Sequence, residues 1–184
     1  MRAVSLLVFA LAATAGFANA QAPARKVHFG VTGGFITPGA FYWVEGPYES
    51  YDLSLSPSLG GFVDAQLNES VAVGAFLDMH MINAFDESGM MLDLGASLKA
   101  KLAGQAGHSA WSAIVEVGHA SMNSIYVFDG TSYLTIKGGA ELRIPAGARQ
   151  WLVQALIWGG PMGGNSDVTT TFGPVGLLRF GVRF

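Results

Sequence analysis

The stretch "VGLLRFGVRF", Val175 to Phe184, decides the fold. Arg179 and Arg183 share one parity, while Leu178, Phe180, Val182 and Phe184 share the other. A side-chain period of two is that of a β-strand whose faces meet different surroundings. Here one face is wholly apolar and the other carries full charges. The stretch ends on an aromatic, so it reads as a closing strand that pairs with the first strand and leaves no open edge.

The same period recurs along the chain, in segments of roughly ten residues broken by Gly, Pro, Asn and Ser. Eight such segments are expected: Lys26–Ile36, Ser58–Leu67, Val71–Met81, Met90–Leu102, Ala110–His119, Ser132–Ile144, Gln150–Trp158 and Thr171–Phe184. A tilted strand of about 9–11 residues spans a bilayer. The connections alternate. Asn68–Ser70, Gly104–Ser109 and Pro145–Arg149 are short, whereas Pro38–Pro57, Ala120–Thr131 and Gly159–Thr170 are long and Ile82–Gly89 is intermediate. Short turns and long loops therefore gather at opposite ends, with both termini on the short-turn side.

Hydrophobic residues make up 51% of the chain and charged residues only 12%. Past residue 20 there is no run of about 18 apolar residues, as a spanning helix would need. Residues 1–20 read as a cleavable secretory signal peptide: a basic start at Arg2, an apolar run Val4–Leu11, and Ala18-Asn19-Ala20 before Gln21. Residues 21–184 then form a single domain. An exported, apolar chain without a spanning helix points to an all-β, eight-stranded, antiparallel, up-and-down transmembrane β-barrel of an outer membrane. Cysteine is absent, so neither a disulfide framework nor a lipoprotein anchor is expected. The net charge is −3 with no basic block, which argues against nucleic acid as a partner.

The strand faces sort the charges. In the fourth segment Asp93, Lys99 and Lys101 share a parity opposite Met90, Leu92, Leu94 and Leu98. In the sixth, Lys137, Glu141 and Arg143 lie opposite Leu134, Ile136 and Leu142. With Asp64, Asp78, Glu116, Arg179 and Arg183, the inward set holds five acids and six bases. Buried charges must be paired, so an ion-pair network is expected in the lumen rather than a field of one sign. Phe62, Phe76 and Leu156 also point in, and an eight-stranded barrel is only wide enough for side chains to fill it. A wide pore is not expected on this reading. The outward set, including Val27, Phe29, Val31, Val71, Leu77 and Met79, is free of Asp, Glu, Lys and Arg. Trp111, Trp151, Phe180, Phe184 and Tyr133 are expected on or near it as interfacial aromatics.

The eight segments, the charged lumen and the ending "RFGVRF" resemble the small OmpA- and OmpX-type outer-membrane barrels over Lys26 to Phe184. The resemblance implies that Phe180, Val182 and Phe184 carry the C-terminal assembly signal read by the barrel-insertion machinery. It implies outer-membrane lipid and lipopolysaccharide as surroundings. No peptidoglycan-binding domain follows the barrel, so wall anchoring is not implied.

Candidate sites are few. His119 and Ser121, in "VGHASMNS", share the outward parity and resemble the His-x-Ser pair of the lipid A deacylase barrels, which are lipid-facing esterases. A base and a nucleophile at that spacing still need a carboxylate to orient the ring. Here Met122 follows Ser121 where that family has Asn, and Glu141 falls on the inward parity. The simpler reading is a polar pair at head-group level. His28, Asp64, Asp78 and His80 could approach one another in the lumen. Their spacing is no metal motif, and neither a metal nor a cofactor is expected. Phe41, Tyr42, Trp43, Tyr48 and Tyr51 crowd the first loop, suiting either recognition of an extracellular ligand or contact with the membrane interface. The long loops carry Glu45, Glu49, Asp52, Asp86, Glu87, Asp129 and Asp167, with no Lys or Arg. The expected function is structural or interactive, with a deacylase-like esterase and a narrow channel as alternatives.

Overall fold

The computed structural model describes residues 26–43, 50–84, 87–105, 107–123, 130–164 and 169–184. Residues 1–20, expected from the sequence to be a signal peptide, lie outside them. All regular structure among these residues is antiparallel strand: β1 (Val27–Ile36), β2 (Gly39–Trp43), β3 (Ser50–Leu53), β4 (Ser56–Gln66), β5 (Val71–Ala84), β6 (Glu87–Ala103), β7 (Ala110–Asn123), β8 (Ser132–Ala146), β9 (Arg149–Gly164) and β10 (Thr169–Arg183).

These ten strands build eight staves. β1 and β2 both pair with β10, and β3 and β4 both pair with β5. Each couple is one stave interrupted, at Thr37–Pro38 and at Ser54–Leu55. Pro38 lacks the N–H that an unbroken ladder would need there. Successive staves pair as hairpins, and β1 closes the ring against β10 from Gly30↔Arg183 to Ile36↔Leu177. The pairing reaches Phe184, whose N–H donates to the Phe29 carbonyl at 2.8 Å and whose ring stacks on that of Phe29.

The short-turn end matches the expected connections. Asn68 Oδ1 accepts from the N–H groups of Ser70 and Val71, both at 2.9 Å, a local side-chain bond that closes the turn without a longer loop. Gly147, at φ 63°, supplies the left-handed residue between the paired Ala146 and Arg149. At the other end the staves run further than expected. Most of the intermediate connection Ile82–Gly89 is strand, since the ladder continues to Ala84↔Glu87. "GGPMGG", Gly159–Gly164, is strand rather than loop. The reason is packing: Gly160 and Gly163 leave room for the rings of Phe172 and Tyr133, which a Cβ would strike. Two shifts in register near Phe172 and one beside Leu134 absorb the irregular fit.

The outer wall is apolar. Leu77, Leu94, Leu98, Val115, Val117, Ile136 and Ile157 are all exposed. Among the described residues that face has no Asp, Glu, Lys or Arg between Arg149 at the turn end and Asp52 at the loop end. Trp111, Trp151, Phe180 and Phe184 are exposed near the turn end, as interfacial aromatics would be. Tyr133 departs from expectation. It is 1% exposed and faces the lumen, where its hydroxyl pairs with Thr170 Oγ1 at 2.9 Å.

Candidate functional site

The lumen is the most elaborately built part of the molecule. Inward positions of β4 to β10 place the charges in two clusters. Near the turn end, Lys99 Nζ lies 2.8 Å from Asp64 and 3.1 Å from Glu141, with Arg143 3.5 Å from Glu141. Arg143 also donates to Ser112 Oγ at 2.6 Å. At mid-barrel, Lys137 contacts Asp78, Asp93 at 3.0 Å and Glu116 at 3.2 Å. Arg179 contacts Asp78 and, at 3.3 Å, Glu116. Thr135 donates to Asp93 Oδ1 at 2.8 Å.

Gln154 joins the two clusters. Its amide N–H donates to Glu141 at 2.8 Å, and its carbonyl oxygen accepts from Arg179 at 3.3 Å. Lys99 and Lys137 also lie over the Phe62 and Phe76 rings, 4.2 and 3.9 Å from their centroids. The turn-end cluster balances two acids with two bases. The central one sets three acids against two bases. All five central side chains are buried, Lys137 and Asp93 with 0% exposure. Two expected members stand apart among the described residues. Lys101 is half-buried and forms no ion pair, and Arg183 instead donates to Gln150 at 3.1 Å. Gln154, Thr135 and Ser112 complete the network. Their signal in the sequence is a polar residue at inward parity, as Gln154 shares its face with Leu152 and Leu156.

Towards the loop end the lumen turns apolar. Ile36, Leu53, Ile82, Met91, Met122, Tyr133, Trp158, Phe172 and Val175 belong to one buried cluster. Trp158 and Phe172 meet edge to face at 4.7 Å. The inward parity alone marks these residues, but apolar runs on both faces of a stave blur the pattern. His80 lies between this layer and the charges. Its ring packs 4.4 Å from that of Trp158, and neither ring nitrogen hydrogen-bonds to a described residue. Leaving such a group unpaired costs about 1–3 kcal/mol.

The quartet His28, Asp64, Asp78 and His80 is divided. His28 faces Asp64 across β1 and β4 near the turn end, and its Nδ1 donates to the Phe184 carbonyl at 3.2 Å. Asp78 and His80 instead approach Asp93, and each of the three offers a ligand atom within 4.8 Å of the others. Sequence spacing hides this because Asp93 comes from the next stave, directly opposite Asp78.

His119 is exposed on the outer wall and paired with Leu94 and Leu134. Ser121, half-buried, is paired with Leu92 and Ser132. His119, Ser132, Leu134, Met162, Thr169 and Thr171 line an open outer groove of about 540 Å³. Among the described residues no carboxylate pairs with His119, and Glu141 is held inside by Lys99. Phe41, Tyr42 and Trp43 are residues of β2, aligned with Phe172, Thr171 and Thr170, and Tyr51 is in β3. They are wall positions rather than a free loop, because the upper hairpin finds ladder partners on both sides. Tyr48 lies outside the described residues, as do Glu45, Glu49, Asp86, Asp129 and Asp167. Asp52 is exposed on β3, and Glu87 opens β6.

No protein-family model and no curated protein sequence matches the chain. Among solved structures it is similar to Neisserial surface protein A, at 11% identity and TM-score 0.58, covering 88% of this chain and 98% of that one. It is also similar to the outer membrane protein OprG from Pseudomonas aeruginosa, at 10% identity and TM-score 0.53, covering 87% and 97%. Closed ring, apolar wall and filled lumen together are the fold of the small eight-stranded outer-membrane β-barrels.

Proposed function

We propose that this chain is an outer-membrane protein that acts as a closed scaffold, presenting its loop-end rim to extracellular ligands. The observation that carries this is the double filling of the lumen. A bonded layer of charges lies below an apolar layer that includes Trp158 and Phe172. A hydrated solute would have to break both. Burying its charges without partners would cost several kcal/mol per ion.

In this reading the apolar wall faces lipid and lipopolysaccharide. The short turns and both termini face the periplasm, as in other barrels of this fold. The strand ending in Phe180, Val182 and Phe184 guides insertion by the assembly machinery. Two similar structures are, by name, a surface protein and an outer membrane protein.

Two measurements test the proposal. The membrane fraction should contain the chain in a form whose gel migration changes on heating. The purified protein should give no steady conductance in planar bilayers. Recovery from the soluble periplasm, or open-channel currents, would refute it.

A further inference from the structure

We infer that Asp78, His80 and Asp93 form a binding site for a divalent transition-metal ion of the zinc class inside the barrel. Three observations converge on it. The ligand atoms lie within 4.8 Å of one another, and all three residues are buried. The ligands of a tetrahedral ion at zinc–ligand distances are roughly 3.4 Å apart, so side-chain shifts of about 1 Å close the set.

The second observation is the imidazole. His80 has 0% exposure and no hydrogen-bond partner among the described residues for either nitrogen. Asp93 Oδ2 likewise lacks a hydrogen bond, although Lys137 stands 3.0 Å away as a charge. A nitrogen ligand and carboxylate oxygens in dry surroundings suit zinc and its neighbours better than calcium or magnesium, which favour all-oxygen, wetter shells.

The third is charge. The central cluster has three carboxylates for two cations, leaving a demand for positive charge. Lys137 keeps a partner when an ion takes the two aspartates, because Glu116 is 3.2 Å from its ammonium. The Trp158 ring packs against His80 and restrains the imidazole.

The site lies beneath the apolar layer, so loading is done during folding. The chain is refolded from urea into detergent micelles with zinc chloride, freed of excess metal, and assayed for zinc by mass spectrometry. Folding is scored in each sample by heat-dependent gel migration. About one zinc per folded wild-type chain is expected, from the single set of three ligands. His80→Leu, which keeps an apolar side chain against Trp158, and Asp93→Asn should each lose at least about tenfold of it, as removal of a ligand implies. His119→Ala should retain it. Folded wild-type protein without zinc would overturn the inference, as would equal zinc in either folded ligand variant. Full retention of the wall's heat-dependent migration in zinc-free protein would leave the scaffold proposal standing, so the two can fail separately.

Discussion

Removing Arg179 should damage the barrel far more than neutralising Glu116, although the two side chains touch. The guanidinium reaches Asp78, both oxygens of Glu116 and the Gln154 carbonyl from a position with 3% exposure. In Arg179→Met three buried carboxylates are left with Lys137 alone. Breaking a buried pair in this way costs about 3–5 kcal/mol, because the stranded charge has no water to turn to. In Glu116→Gln the shape is kept and two acids face two bases. The loss is then that of weakened hydrogen bonds, about 1 kcal/mol. The separation, about 2–4 kcal/mol, corresponds to a factor of roughly 30 to 1,000 in the folding equilibrium. Reversible urea unfolding in lipid vesicles, followed by the fluorescence of the four tryptophans, measures it. Equal losses in the two variants, or an Arg179→Met loss below about 1 kcal/mol, would refute the charge balance drawn for the central cluster.

Three further outcomes are expected. Leu94→Arg, on the exposed apolar wall, should cost about 2–4 kcal/mol in vesicles if it sits near the bilayer midplane, and the same change at Leu102, nearer the turn end, about 0–1 kcal/mol; similar losses at both would refute the placement of the wall in lipid. Phe184→Ala removes the ring stacked on Phe29, and pulse-chase labelling should show slower accumulation of folded barrel; an unchanged rate would deny Phe184 a part in assembly. Mass spectrometry of lipid A should give the same acylation with the wild-type protein and with His119→Ala, since no described carboxylate orients that ring; loss of an acyl chain only with the wild type would establish the esterase reading.

The wall and the charged lumen were legible because a period of two sorts residues between lipid and interior without knowledge of partners. Asp93, Lys99 and Lys137 announced their face by sitting beside apolar residues of the opposite parity, Leu92, Leu94, Leu98 and Ile136. Other features depended on what lies across the ladder. Tyr133 looked like an interfacial aromatic near a strand end, but it alternates with the exposed Leu134 and Ile136 and so points inward, where the space over Gly163 receives its ring. "GGPMGG" carries every local mark of a loop, yet its missing side chains are what allow Phe172 to fill the lumen. The upper hairpin was hidden for a similar reason. Its two short strands are extensions of β1 and β4, and only pairing with β10 and β5 makes them wall. At the metal-ligand set, sequence brought Asp78 and His80 together by alternation. Asp93 required the register.

The apolar layer over the central charges has a consequence for ionic strength. Screening acts within a Debye length only where counter-ions can approach, and buried pairs feel it least. Trp158, Phe172 and their neighbours bar dissolved salt from Lys137 and Arg179 on the loop side, while Gln154 and Lys99 occupy the approach from the turns. The barrel's inner electrostatics are thereby insulated from the medium: a change from dilute to concentrated salt alters the outside of the protein and leaves the attraction at its centre as it was.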